Sequence, residues 1–200
     1  MTVFSDNDGE LLVRSARTAV SDYLKTGRRA SAPDEVKARF AFNSGVFVTI
    51  NKEGELRGCI GFPTPDRKLY MSLIDAAIAA ASEDPRFSPV EFSELPAITF
   101  EVTVLTPPEV VTVSDPSEYP SKIKVGRDGL IVKWEFGSGL LLPQVPVEYG
   151  WREEEFLSHT CQKAGAPMDA WRQKSTMVLR FGGIVFKESS PAGPVVRAGL

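Results

Sequence analysis

The run Leu56-Arg57-Gly58-Cys59-Ile60-Gly61 contains the best candidate for a working residue, the Cys59 thiol. If the run is a β-strand, Arg57 and Cys59 point to the same face, because alternate side chains of a strand share a face. A guanidinium beside a thiol favours the thiolate, which is the nucleophilic and metal-binding form. One hypothesis is therefore an Arg57-activated thiolate at Cys59.

Gly58 and Gly61 flank this cysteine. Glycine weakens a strand, and it is found inside one where another backbone or a ligand must come close. One interpretation is that both glycines belong to a ligand cleft around Cys59. The alternative is that Cys59 is a small core residue and that the glycines mark a β-bulge.

His159 is the one histidine of the chain, and it falls beside the apolar stripe of a predicted helix. Its imidazole could serve Cys59 as general base, with the Gln144 amide helping to hold an oxyanion. The spacing of these three residues has no specificity of its own, and a histidine at a helix boundary is the alternative. Cys161 lies within the apolar stripe and is predicted to be a core residue.

Two further side chains could line a ligand cleft. Arg86 follows a predicted helix in Asp84-Pro85-Arg86-Phe87, and it could bind an anion or form a structural salt bridge. Glu101 lies on the polar face of a predicted strand and could project into the cleft or into water. One histidine and two distant cysteines provide no local ligand cluster, so the sequence predicts no metal site and implies no cofactor.

The composition is that of an ordinary globular chain, with 42% hydrophobic and 24% charged residues among 200. Two cysteines are too few for a disulfide framework, which predicts a reducing compartment and a cytoplasmic protein. The first residues lack the character of a signal peptide, and no apolar run approaches the roughly 18 residues of a membrane helix. The net charge of −3 predicts neither a nucleic-acid nor a membrane partner.

The hydrophobic pattern predicts the elements that must position these side chains. In the first half we expect two long helices, a hairpin and one alternating strand: residues 9–23 with Asp8 as cap, 69–83, 46–50 paired with 56–62, and 98–105. In the second half we expect three short strands, a helix, a closing strand and a loose tail: residues 123–125, 130–133, 140–142, 152–164, 175–187 and 189–200. Strands in groups, with helices between the groups, predict an α+β fold.

The hexapeptide Leu56 to Gly61 resembles the signature of the AMMECR domain family. Further segments agree with the family pattern in the expected order, and the resemblance covers residues 8–188 as a single domain. These segments are Asp84-Pro85-Arg86-Phe87, Glu101-Val102-Thr103-Val104-Leu105, Gly129-Leu130, Leu141-Leu142-Pro143-Gln144-Val145-Pro146, Trp151 and Glu154-Glu155-Phe156-Leu157.

The resemblance implies an α+β fold of two intertwined subdomains, built from antiparallel or mixed sheets with flanking helices and a cleft between them. It carries Arg57 and Cys59 over as motif residues, whereas His159 and Cys161 are not fixed parts of the pattern. It brings no established activity. Because relatives occur beside, or fused to, MEMO-class proteins and radical SAM enzymes, it implies partners of those two classes.

Two functions from different classes stay open. In the first, the protein is a binding or accessory module whose cleft around Leu56–Gly61 holds a small ligand or a protein partner. Gly58, Gly61, Arg86, Glu101 and Gln144 would line that cleft. In the second, it is a cysteine-dependent enzyme or redox factor. The state of Cys59 separates them, because a catalytic thiol must be accessible and acidic. No complete catalytic set can be assembled from the sequence, which favours the binding module.

Overall fold

The structure, a computed structural model, describes residues 4–198. In chain order its elements are α1 (Asp6–Thr26), α2 (Asp34–Arg39), β1 (Val46–Lys52), β2 (Glu55–Phe62), α3 (Leu69–Ser82), β3 (Ile98–Leu105), β4 (Glu109–Val110), α4 (Tyr119–Lys122), β5 (Gly129–Trp134), β6 (Gly137–Leu141), α5 (Gln144–Glu148), α6 (Glu153–Lys163), β7 (Met177–Phe181), β8 (Gly183–Glu188) and β9 (Val195–Ala198). Short 3₁₀ helices cover Phe92–Ala97, Pro116–Glu118 and Ala170–Arg172.

The chain divides into two compact units. The first unit contains residues 4–105 and 184–198, and the second contains residues 106–183. The chain therefore leaves the first unit once and returns to it at the end. Helices and two antiparallel sheets make this the α+β fold that the sequence predicts.

A five-stranded sheet in the order β2-β1-β3-β8-β9 forms the framework of the first unit. β1 runs antiparallel to both β2 and β3, which confirms the predicted hairpin. The turn of this hairpin consists of Glu53 and Gly54, and both have positive φ angles, 54° and 87°. Two such residues form a type I′ turn, whose twist matches that of the flanking strands. The strand order makes β2 an edge strand of the sheet.

One face of this sheet is buried and the opposite face is only partly covered. The alternation of β1 and β3 places apolar side chains on the buried face, where they pack against α1 and α3. We call the partly covered side the outer face. On two neighbouring interior strands, the outer face consists of Phe47, Thr49 and Asn51 of β1 and Thr99, Glu101 and Thr103 of β3.

The N-cap of the first helix lies three residues before the predicted cap, Asp8. Ser5 is the N-cap, and its hydroxyl accepts a hydrogen bond from the Asp8 amide. The Asp8 carboxylate in turn accepts from the Ser5 amide at 2.7 Å, which completes a capping box. The helix ends at Gly27, which is a left-handed C-cap with φ of 68°.

The second unit has its own sheet and its own core. Its strands lie in the order β4-β7-β5-β6, and all the pairs are antiparallel. Helix α6 packs on β5 and β6. The largest fully buried side chains of this core are Leu130, Phe156, Leu157 and Trp171. The strand expected at residues 123–125 is absent from the described structure, because that segment is the loop after α4.

Two predictions for the last part of the chain are wrong. The single strand expected over residues 175–187 is two strands in different sheets, since Gly182 bonds through its backbone to Thr106 instead of continuing the ladder. The tail is not loose over Val195–Ala198, which pairs with β8. Both prolines of the tail lie within residues 189–194, whereas the valines that follow favour a strand.

Over the described residues, no helix combines the length and the apolar character that crossing a membrane requires.

Candidate functional site

Cys59 lies on the outer face of the first unit's sheet. The register places it opposite Thr49 of β1, and Thr49 lies opposite Glu101 of β3. These three side chains therefore form a row across neighbouring strands. The Thr49 hydroxyl donates a hydrogen bond to the Cys59 Sγ at 3.3 Å. Sequence reasoning identified Cys59 and Glu101 but missed Thr49, because register connects residues that are far apart in the chain.

Arg57 does not act as the partner of this thiol. A register shift between Ile50 and Asn51 makes Arg57 the extra residue of a β-bulge, and bulges re-aim side chains. The guanidinium bonds both carboxylate oxygens of Glu94 and the carbonyls of Ser88 and Pro89. This hydrogen bonding lowers the pKa of Glu94 to about 2. The predicted activation of Cys59 by Arg57 is therefore not met in the structure.

The surroundings of Cys59 favour its neutral thiol. Its side chain is half-buried, and burial raises its pKa above the ordinary value of 9.0. The hydrogen bond from Thr49 and the positive charge of Arg86 act in the opposite direction, whereas the negative charges of Asp84 and Glu101 add to the increase. The balance leaves Cys59 less acidic than an ordinary cysteine, which is the reverse of what a thiolate nucleophile requires.

The backbone of Cys59 is held by the turn that follows α3. The Cys59 amide donates to the Asp84 carboxylate at 2.8 Å, and the Arg86 guanidinium donates to the Cys59 carbonyl at 3.4 Å. Asp84 is buried, and its hydrogen bonds from Arg86 hold its pKa well below the usual range. Arg86 thus forms the structural salt bridge that was one of its two predicted roles. Asp84 was missed as a site residue, although its position in an Asp-Pro-Arg turn was a usable signal.

The two glycines of the hexapeptide meet different neighbours. A Cβ at Gly58 would lie 2.1 Å from the Ala80 carbonyl oxygen, so the backbone of α3 fills the space that sequence reasoning assigned to a ligand cleft. A Cβ at Gly61 would lie 2.3 Å from the Phe47 ring, which is on the outer face. The bulge is located at Arg57 rather than at either glycine. Close approach of the protein's own atoms explains both positions.

Glu101 lines an open cavity of about 660 Å³ in the first unit. Burial raises its pKa, and the positive charge of Lys187 partly opposes this increase. The other lining residues come from β1, the β1–β2 turn, the end of the 3₁₀ helix, β3, β8 and the β8–β9 connection: Asn51, Glu53, Gly54, Ala97, Thr99, Glu188, Ser189, Ser190 and Pro191.

The remaining candidates belong to the second unit. Gln144 is exposed at the first position of α5. His159 stacks on Trp151 with ring centroids 3.8 Å apart, and its Nδ1 lies 3.2 Å from the Gln162 amide oxygen. Cys161 is fully buried in the core of this unit. Since Cys59 is in the first unit, the dyad with His159 and the oxyanion contact from Gln144 stay predictions.

In the part of the chain that the structure describes, no group of three or more histidine, cysteine or acidic side chains is placed to hold a metal ion.

The chain is similar to several archaeal proteins over nearly its whole length. It is 51% identical to a protein of Pyrococcus abyssi, with 100% of both chains covered, and 50% identical to a protein of Methanothermobacter thermautotrophicus, with 92% and 96% covered. The crystal structure of an uncharacterized protein from Pyrococcus horikoshii superimposes with a TM-score of 0.84 at 50% identity, covering 98% of this chain and 99% of that one. Residues 13–186 match the AMMECR1 family model. The chain therefore belongs to the AMMECR1 family.

Proposed function

We propose that this chain is a binding or accessory module whose site is the outer face around Leu56–Gly61, with Cys59 as a neutral thiol in that site. The observation that carries the proposal is the environment of Cys59. Burial raises the pKa of its thiol, and the arginine expected to oppose this effect is engaged by Glu94. A thiol in this state contacts a ligand but does not attack one.

The groups around Cys59 are suited to holding a ligand in one orientation. Thr49 and Glu101 place a hydroxyl and a carboxylate on the same face, and the Asp84–Arg86 pair fixes the Cys59 backbone. A rigid edge strand with fixed polar groups provides hydrogen bonds without any reorganisation on binding. The one histidine of the chain belongs to the second unit, so the first unit has no imidazole to serve as general base.

A cysteine-dependent enzyme or redox factor is the second candidate function. The observation that favours it is the pair of groups that lower the pKa of Cys59, the Thr49 hydroxyl and the Arg86 guanidinium. In the free protein, burial together with the negative charges of Asp84 and Glu101 outweighs these two groups, so the pKa of Cys59 is raised. The enzyme would therefore require a partner or substrate that changes the surroundings of Cys59. MEMO-class and radical SAM proteins are the partner classes that the family resemblance implies.

The alkylation rate of Cys59 as a function of pH tests the proposal. We expect the iodoacetamide reaction to be slow near neutral pH and to accelerate continuously beyond pH 9.0, the ordinary value for cysteine, because only the thiolate reacts. The measurement uses the full chain with Cys161→Ala, since Cys161 is the other cysteine and is fully buried. A Cys59→Ala, Cys161→Ala chain gives the background rate.

A rate that has already reached its plateau near neutral pH would contradict the binding module. It would mean an acidic and accessible thiol, and the cysteine-dependent enzyme would become the leading candidate. Thermal unfolding of the Cys161→Ala chain ensures that the rates refer to folded protein, because removal of a buried side chain lowers stability.

A further inference from the structure

The cavity beside Glu101 is bounded by two turns of the first unit. The β1–β2 turn contributes Glu53 and Gly54, and the β8–β9 connection contributes Ser189 to Pro191. Residues of β1, β3 and β8 also line it. At about 660 Å³ it is within the range of small-molecule sites, roughly 300–1,000 Å³. The hexapeptide residues do not line it, so it extends away from Cys59 along the same face.

Glu101 is the least compensated charge in this cavity. Its carboxylate is half-buried, and over residues 4–198 it has neither a hydrogen bond nor an ion pair within contact distance. Removing a carboxylate from water without a partner is unfavourable, which is why its pKa is raised. A cation that enters the cavity would replace the lost hydration and favour the ionised form.

The other charges of the lining leave an excess of negative charge. Glu188 forms ion pairs with Arg14 and Arg17, and Arg14 also pairs with Glu10, so the charges of these four residues cancel. Glu53 and Lys187 are both exposed, and they contribute one charge of each sign. With Glu101 ionised the cavity therefore carries one net negative charge. Asn51, Thr99, Ser189 and Ser190 add neutral hydrogen-bonding groups that suit a polar organic molecule rather than a bare ion.

We propose that this cavity binds a small organic amine, with the ligand's ammonium group on the Glu101 carboxylate and its polar groups on Asn51 and Thr99. The inference rests on the proposed function, because it specifies the ligand class of the same sheet face. Glu101 serves as the anchor, since a charge-assisted hydrogen bond in a half-buried site is stronger than a neutral one. Lys187 disfavours the same ligand through its like charge.

An NMR titration of the full chain with n-butylammonium chloride tests the inference. Sodium butyrate and n-butanol are the anionic and neutral probes of matched size, all at one ionic strength. We expect saturable shifts of the Asn51, Thr99 and Glu101 backbone amides with n-butylammonium alone. The Glu101 side-chain carboxyl signal should also report a lower pKa in the presence of the amine, because a cation favours the carboxylate.

Three variants separate a specific anchor from general electrostatic attraction. Glu101→Gln should weaken n-butylammonium binding about tenfold or more, because it removes a charge-assisted hydrogen bond. Lys187→Met should increase the affinity for n-butylammonium roughly threefold, because it removes a like charge near the ligand. Glu55→Gln is the matched control, since Glu55 is an exposed carboxylate on the same hairpin outside the lining, and binding should be unchanged.

The outcomes distinguish this inference from the function on which it rests. Saturable butyrate binding that survives Glu101→Gln would overturn the amine assignment, and so would the absence of saturable shifts with all three probes. Equal losses of n-butylammonium affinity in Glu101→Gln and Glu55→Gln would show non-specific electrostatic attraction. That result would also overturn the amine assignment. None of these results depends on Cys59, whose alkylation profile tests the proposed function separately.

Discussion

Gly58 and Gly61 of the hexapeptide are required by contacts on opposite faces of one strand. Gly58 allows the backbone of α3 to approach β2, and Gly61 allows the Phe47 ring to cover the outer face. The hexapeptide therefore serves two purposes at residue scale. It fixes the distance between helix and sheet, and it leaves the row of Cys59 and Thr49 accessible beside an aromatic ring. Glycines in a sequence signature can therefore indicate close packing within the protein as well as a binding site for a ligand.

Replacement of Gly58 by alanine should lower the stability of the fold more than an ordinary glycine substitution does. We expect Gly58→Ala to lower the free energy of unfolding by about 2 kcal/mol, because its Cβ would lie 2.1 Å from the Ala80 carbonyl oxygen and α3 must move. Urea unfolding measures this change.

Gly54→Ala is the matched control for that variant. Gly54 has φ of 87°, and no atom lies within 4 Å of the position that an alanine methyl would take, so its substitution strains the backbone without a clash. We expect a cost of about 1 kcal/mol. A Gly58→Ala cost equal to or below that of Gly54→Ala would contradict the close-approach explanation.

At the scale of elements, two acid–arginine pairs connect the edge strand β2 to the segment that follows α3. Asp84 and Arg86 bind the backbone of Cys59, and Glu94 binds the Arg57 side chain. An exposed edge invites pairing with another chain, and side chains that occupy its backbone groups prevent this. The same two pairs hold the hexapeptide in one conformation, which is what a pre-formed binding site requires.

The Asp84 pair should make the stability of the fold depend on pH. The pKa of Asp84 is lower in the folded chain than the ordinary value of 3.8, so its contribution is complete above that value and is lost as the pH falls below it. We expect Asp84→Asn to cost about 2 kcal/mol at pH 7, since it weakens hydrogen bonds to a charged group.

The difference in unfolding free energy between wild type and Asp84→Asn should begin to narrow as the pH falls to the ordinary value of 3.8, and it should continue to narrow towards the lower pKa of the folded chain. Urea unfolding at each pH measures it. Asp34→Asn is the matched control, because its carboxylate is almost fully exposed and its pair with Lys37 is a surface one. A difference that is constant with pH would mean that Asp84 acts through packing alone.

The elements that could be predicted from the sequence are those with a local signal. The stripe of α3, the alternation of β3 and the hairpin were all recoverable, because each follows from a periodicity within one segment. The break at Gly182 was not, since it depends on Thr106, which is distant in sequence. The pairing of Arg57 with Glu94 was hidden for the same reason, together with the bulge that directs it. At the candidate site, the sequence therefore indicated which residues matter, but it did not indicate which distant residues they contact.

At the scale of the whole molecule, the chain closes its first unit with its two ends. Helix α1 comes from the start of the chain, whereas β8 and β9 come from its end, and the second unit is inserted between them. Glu188 joins the two ends. Its carboxylate is fully buried and pairs with Arg14 and Arg17, and it also accepts from the Phe100 amide at 3.0 Å. This carboxylate therefore ties α1, β3 and β8 together beside the Glu101 cavity, which Glu188 also lines.

Loss of the Glu188 charge should destabilise the first unit and spare the second. We expect Glu188→Gln to cost about 3 kcal/mol, because it leaves two arginines without their buried partner. Native-state hydrogen exchange should show faster exchange at Val102 of β3 and no change at Val132 of β5, since these residues belong to separate cores. Glu109→Gln, at an exposed position on β4, should stay within about 0.5 kcal/mol of wild type. Equal acceleration at Val102 and Val132 in Glu188→Gln would mean that the two units unfold as one, and the ion network would then support the whole chain rather than the unit that contains the site.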